Sequence, residues 1–223
     1  MSSHANGHQN GDSISNNTKT AVLAMGCFWA PDGLFGTTKG VLRTKVGYAG
    51  GTTENPTYRN IGDHTEVTQV DFDPTIISFD QILRLFWKHH DPTVQMKTQY
   101  RSMILYVDPE DKSVAEKSLE SEQTRHKRPI NTIIAPFKRF YDAEDYHQKY
   151  RLRQHTYLHS KLNFKTEECY KTSHVASRLN GYVVGFGGVK QFEEEADKLG
   201  LSDDVKTYVR KYVVQYEGSG MMC

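Results

Sequence analysis

Four strand patterns and two helix patterns in the order β-α-β-β-α-β, followed by a charged, helix-favouring stretch, predict an α+β chain. The expected form is a ferredoxin-like split βαβ sandwich, with helices on one face of an antiparallel sheet and a helical, loop-rich C-terminal extension. At 223 residues the chain is long enough to bury a substantial core.

Residues 19–25 of "KTAVLAM" carry apolar side chains on both alternating faces, as a central strand does. Gly26 permits a sharp turn, and a helix is expected over 27–36. "VLRTKVGYA" at 41–49 reads as the second strand. A polar, glycine-bearing loop leads to the third, "EVTQVDF" at 66–72, by alternation. In "SFDQILRLFWKHH", Ser78 and Gln81 have capping-box spacing, and Phe79, Ile82, Leu83 and Phe86 share one helical face. "RSMILYVD" at 101–108 is the fourth strand. Beyond it, 109–125 favours helix, "INTIIAPF" suggests a short strand, and "YDAEDYHQKYRLRQHTYL" reads as one helix. The tail from about 160 holds at least two more helices. The clearer one starts at Ser202, whose hydroxyl can cap it, with Asp203 and Asp204 in its first turn and Arg210 and Lys211 near its end. These patterns divide the chain into a disordered arm (1–18), a sheet-forming domain (19–159) and a helical extension (160–223) whose tail is flexible.

Charge and cysteine usage narrow the function. With 28 basic and 27 acidic residues and a pI near 7.7, nothing electrostatic draws the chain to nucleic acid or to a membrane surface. No apolar run approaches the roughly 20 residues that span a bilayer, and the polar first 18 residues lack a signal-peptide pattern. Three distant cysteines, Cys27, Cys169 and Cys223, are too few for a secreted disulfide framework and lack zinc-site pairing. A reducing cytoplasm is the expected compartment.

Cys27 sits in "AMGCFWA", where strand gives way to helix. A cysteine in an apolar run is ordinarily core packing. One at a helix start is also stabilised as a thiolate by unpaired N–H groups and the helix dipole. Position alone leaves both readings open.

"GCFWAPDGLF", "GYAGGTTENPTYRNIGDHTEV", "FWKHHDPT", "TQYRSMILY" and "AEDYHQKY" together resemble the methionine sulfoxide reductase A family, in order, over roughly residues 20–155. The resemblance implies reduction of methionine S-sulfoxide, free or in proteins, by a peptide-methionine (S)-S-oxide reductase that serves protein repair under oxidative stress. It assigns the nucleophile to Cys27 and the acid to Glu66. Tyr58 and Tyr100 fall at positions whose hydroxyls bond the sulfoxide oxygen or the acid, and Phe28 and Trp29 form the wall for the substrate methyl. Oxidised Cys27 is then expected to pass through a sulfenic acid to an intramolecular disulfide that thioredoxin reduces. No metal or organic cofactor is implied.

Residue by residue, a blander reading accompanies each assignment. Glu66 shares a face with Thr68, Val70 and Phe72, a setting that desolvates a carboxyl and raises its pKa, yet a strand-end glutamate is ordinarily solvated. Tyrosines are ordinarily amphipathic packing residues. His89, His90 and His147 lack a metal-ligand constellation and read as structural or surface residues.

Two stretches depart from the family pattern. Members carry a glycine-rich segment with an aspartate before "TQYR", whereas here "TVQMKTQYR" places Gln95 at that point. Members also place a recycling cysteine soon after "DYHQ", and here none follows until Cys169. Recycling is therefore expected of Cys223, behind "EGSGMM", six residues with a coil-like reach of about 13 Å. Cys169 is the weaker candidate or a relay, because Glu167 and Glu168 beside it disfavour a thiolate. A non-catalytic module that binds methionine or its sulfoxide is the alternative from another class. A general thiol oxidoreductase would carry a C-x-x-C pair, which is absent.

Overall fold

The computed structural model describes residues 17–162 and 164–219; most of the expected N-terminal arm, and Cys223 with it, lie outside the described residues. β1 (Lys19–Met25), β2 (Val41–Ala49), β3 (Thr65–Phe72) and β4 (Ser102–Tyr106) form where the sequence periodicity puts strands. With β5 (Ile133–Pro136) and β6 (Phe140–Asp142) they make a six-stranded sheet in the order β5-β4-β1-β3-β2-β6, antiparallel except for the β4–β5 pair.

β1 is central and buried on both faces, as its unbroken apolar run requires. Ala21 and Leu23 join Val70, Phe72 and Ile104 against Leu34 and Phe35 of α1 (Trp29–Gly36) and Ile82, Leu83 and Phe86 of α2 (Phe79–Lys88). Val22 and Ala24 face the other way, with Val67, Met103 and Leu105. Fully burying each large apolar side chain contributes about 1.5–3 kcal/mol, so this two-sided core fixes the register of the strand. α2 carries both halves of the expected capping box: the Gln81 N–H donates to Ser78 Oγ (3.2 Å) and the Ser78 N–H to Gln81 Oε1 (2.8 Å). α3 (Pro109–Gln123) starts from Asp108, whose carboxylate accepts the Asp111 N–H.

One expected helix is broken. "YDAEDYHQKYRLRQHTYL" becomes β6, a 3₁₀ turn at Asp145–His147, α4 (Tyr150–Arg153) and α5 (Thr156–Lys161). Lys149 takes the left-handed conformation (φ 54°), which a helix interior excludes. Gln148, fully buried, bonds the Val46 N–H through Oε1 and the Val46 carbonyl through Nε2, and so continues the β2 ladder in place of a strand.

α6 (Glu168–Thr172), α7 (His174–Tyr182), α8 (Gly188–Glu195) and α9 (Asp203–Tyr216) build a second core around Leu158, Leu179, Tyr182, Phe192 and Val209. Ser202 stands at the N-cap of α9, but its hydroxyl donates to the Asp204 carboxylate and caps no backbone N–H. The helix also runs five residues past Lys211, so the basic pair lies inside it. Among the described residues no helix is long and apolar enough to cross a membrane.

Candidate active site

The corner between β1 and α1 turns on Gly26 (φ 86°); a β-carbon there would meet nothing within 4 Å, so the backbone conformation and not space demands glycine. Cys27 follows, half-buried, and α1 begins two residues later than the periodicity suggests, with Phe28 as N-cap. The first N–H after the cysteine, that of Phe28, donates to Glu66 Oε2 at 3.1 Å. Glu66 is 1 % exposed, and its second oxygen accepts from Gln99 Nε2 at 2.8 Å. Burial raises its pKa above the ordinary glutamate value, against the opposing pull of Gln99, the Phe28 N–H and the Lys97 charge. A buried carboxyl whose pKa is raised thus bonds the N–H of the residue next to a thiol.

Gln99 and Tyr100 arrive on a 3₁₀ turn, Thr98–Tyr100, fastened to β3 where Thr65 Oγ1 donates to the Thr98 carbonyl (2.8 Å) and accepts from Arg101 Nε (2.7 Å). The hydroxyls of Tyr100 and Tyr58 bond each other, and burial and that bond hold Tyr100 protonated. Tyr58 comes from the loop at 50–64. Asp63 ties that loop by accepting from the N–H groups and hydroxyls of Thr52 and Thr53, which hold its carboxyl well below the usual range. Glu144 ties it from the other side: Oε1 accepts the Tyr58 N–H (2.9 Å) and Oε2 the hydroxyl of fully buried Tyr48 (2.7 Å). Burial pushes the Glu144 carboxyl up, but the Tyr58 N–H, its own N–H and the Tyr48 hydroxyl outweigh it and bring the pKa down.

The apolar side is aromatic. Phe28 is buried, and Trp29 stacks on Tyr150 with centroids 3.6 Å apart and planes 3° from parallel. Trp29 Nε1 donates to His147 Nδ1 (3.2 Å), so Nδ1 is the acceptor and the ring proton sits on Nε2; burial lowers the pKa of the ring. That Nε2 has no partner among the described residues; the ring lies 4.7 Å from Tyr58 and 4.1 Å from Tyr146, centre to centre.

Cys27, Phe28, Trp29, Glu66, Tyr58 and Tyr100 therefore gather in one cluster, linked through the Phe28–Glu66 bond, the paired tyrosine hydroxyls and the His147 ring that meets Phe28, Trp29 and Tyr58. Gln95 is exposed on the adjoining loop. Cys169 lies on α6, in the helical part of the chain, and Cys223 is outside the described residues. The expectation that Glu167 and Glu168 disfavour a Cys169 thiolate is overturned. Burial raises that pKa, but hydrogen bonds from Thr166 and from the Lys165 and Cys169 N–H groups bring it below the ordinary thiol value. The two acids are occupied by Arg153 and Lys171. His147, expected to be structural or on the surface, is buried among the rings of Phe28, Trp29 and Tyr58. Sequence reasoning also left Gln99 and Glu144 without roles, although both sit inside quoted motifs; their polarity beside aromatic residues was the available signal.

Residues 19–178 match the family model described as peptide methionine sulfoxide reductase, and 164–213 match one described as the helical domain of selenoprotein methionine sulfoxide reductase A. The chain is 50% identical over 207 residues to a peptide methionine sulfoxide reductase of Drosophila melanogaster, covering 92% of this chain and 84% of that one. A Methanococcus maripaludis peptide methionine sulfoxide reductase is 44% identical over 158 residues, 66% of this chain and 99% of its own. Among solved structures, the reduced form of Mxr1 from Saccharomyces cerevisiae aligns with a TM-score of 0.60 at 30% identity, covering 66% of this chain and 91% of that one. Methionine sulfoxide reductase A of Corynebacterium diphtheriae aligns at 0.57 and 35%, covering 64% and 77%. The chain belongs to the peptide methionine sulfoxide reductase family and is an oxidoreductase that reduces methionine sulfoxide.

Proposed function

We propose that the chain reduces the S epimer of methionine sulfoxide, free or in proteins, by a thiol mechanism centred on Cys27. The Cys27 thiolate attacks the sulfoxide sulfur while Glu66 supplies a proton to the oxygen; the oxygen passes to Cys27 as a sulfenic acid and methionine departs, its sulfur reduced by the two electrons the cysteine loses. Tyr58 and Tyr100 hydrogen-bond the sulfoxide oxygen, and Phe28 and Trp29 receive the methyl. A second thiol, Cys223 with Cys169 as relay, condenses with the sulfenic acid, forming a disulfide and releasing water. A thioredoxin-type dithiol then restores both thiols.

The observation that carries this reading is the Phe28 N–H bond to Glu66 Oε2, which fixes beside the nucleophile a carboxyl whose burial raises its pKa. The chemistry asks for a compartment that supplies dithiols, hence the cytoplasm. We read β1–β4 with α1 and α2 as the ferredoxin-like split βαβ, supported by the neighbour order β4-β1-β3-β2. Residues 19–159 form the catalytic domain and 160–223 its helical extension. The test is turnover of stereochemically resolved methionine sulfoxide peptides with dithiothreitol, followed by thiol counting on the oxidised enzyme. Reduction of the S peptide alone and loss of two thiols per cycle are expected; equal use of both epimers, or no thiol loss, refutes the mechanism.

A further inference from the structure

α1 carries the Cys27 corner at its N-terminal end, and the helical extension holds it along its length. α7 approaches so closely that a β-carbon on Gly36 would lie 2.3 Å from the Ser177 carbonyl oxygen, and one on Gly181 2.2 Å from that of Gly33. At the far end of α1, Arg178 donates to the Thr38 carbonyl (3.0 Å) and Gln191 to that of Thr37 (2.7 Å).

Near the corner the contact is a buried polar junction. Asp32, 1 % exposed, accepts from Lys149 Nζ (2.9 Å) and Thr44 Oγ1 (2.6 Å) on one oxygen and from Asn180 Nδ2 (3.1 Å) on the other. Lys149 also donates to the Thr44 carbonyl (2.6 Å), and Asn180 Oδ1 accepts the Leu152 N–H (3.0 Å). Asn180 is fully buried, with both ends of its amide engaged, so it ties α1 to α4. Between these anchors runs the short segment that holds the aromatic wall: Lys149 in its left-handed conformation, preceded by His147, which bonds Trp29, and followed by Tyr150, which stacks on it.

We propose that Asn180 is a positioning residue for the substrate pocket: by holding Asp32 and Leu152 in fixed relation it keeps Lys149 in its strained conformation and Tyr150 flat against Trp29. The helical extension thereby sets the shape of the wall that takes the substrate methyl, a role separate from any recycling thiol it carries. A residue in a sparsely populated backbone conformation persists only where its surroundings over-determine it, and Asn180 supplies two of the bonds that do so. This inference rests on the reading that Trp29 lines the substrate pocket.

The test uses the full chain carrying Trp87→Phe, so that Trp29 is the single emitter of the two tryptophans. Asn180→Ala is expected to alter Trp29 emission and to raise KM for an S-sulfoxide peptide about tenfold, with the saturating single-turnover rate kept within about twofold, the pattern of lost ground-state binding. Asn180→Ser, which retains a donor on a shorter side chain, is expected to fall between, and carries the same readouts if the alanine variant does not fold. A lowered melting temperature with KM and Trp29 emission unchanged makes Asn180 merely structural and overturns the inference. If the unsubstituted chain shows no preference for the S peptide, it is the functional reading that fails.

Discussion

The two described cysteines occupy opposite kinds of ground. Cys27 stands at a corner that β1, β3, α1, the 98–100 turn and the 144–150 segment build together, with its neighbour Phe28 buried and bonded to Glu66. Cys169 stands on a five-residue helix held by Tyr170, which is buried in the second core, and by ion pairs nearer the surface, Arg153 to Glu167 and Lys171 to Asp142 and Glu168. Such pairs contribute about 0–1 kcal/mol each. The first thiol sits where several elements meet; the second lies on a short helix anchored by a single buried aromatic side chain. On the proposed mechanism, attack on a sulfoxide asks for a fixed thiol, and travel to a sulfenic acid suits a chain tail better than a helix pinned by a core residue.

Exchanging serine for each cysteine is the most drastic way to break that contrast. Cys27→Ser is expected to lose all methionine release, single turnover included, because a hydroxyl is a far weaker nucleophile at neutral pH. Cys223→Ser should release one methionine per enzyme and then fail to cycle with thioredoxin. A Cys27–Cys169 disulfide accumulating in that variant indicates a relay, whereas normal cycling there with a stalled Cys169→Ser reverses the assignment. Product counting in rapid quench, with mass spectrometry of the linked peptides, distinguishes these outcomes.

Glu66 is the next point of leverage. Glu66→Gln keeps the shape and removes the transferable proton, so the single-turnover rate is expected to fall by about two to four orders of magnitude. A rate within a few-fold of the unsubstituted enzyme refutes the acid role. The raised pKa also gives a sign to the pH dependence. The protonated carboxyl contributes stability that is fully present below the ordinary glutamate value and is lost as pH rises through the raised one. The melting temperature of Glu66→Gln relative to the unsubstituted chain should therefore climb with pH across that window, and melts at a series of pH values read it directly.

The sheet half was largely legible because its signals are periodic. β1 to β4 and α2 follow from alternation, an apolar stripe and a capping box, all of which act within one element. The break at Lys149 was not legible, since it depends on a carboxylate 117 positions away on α1. Glu144 and Gln99 escaped for the same reason: each bonds a partner on another element, Tyr58 and Tyr48 for one and Glu66 for the other. In the helical extension the short helices carry weak stripes, and their burial is decided by packing on α1 and on one another.

The smallest expected effect separates the two halves at a single hydroxyl. Ser78 and Ser202 both look like helix caps, and both take the extended backbone of an N-cap. Ser78 accepts the Gln81 N–H and has its own N–H satisfied in return, so Ser78→Ala leaves a helix-end donor without its partner. The expected cost is about 1 kcal/mol, a fall of roughly 2–4 °C in melting temperature for a chain of this size. Ser202 spends its hydroxyl on Asp204, an exposed carboxylate that also receives Tyr157 (2.9 Å) and Lys161 (2.6 Å). Ser202→Ala removes one donor of three from a group that water solvates in its place, so stability should stay within about 0.5 kcal/mol. Thermal melts of the two variants under one set of conditions decide the matter. A loss at Ser202 equal to that at Ser78 means that the hydroxyl caps α9 in solution, and the two helix starts then differ in sequence but not in physics.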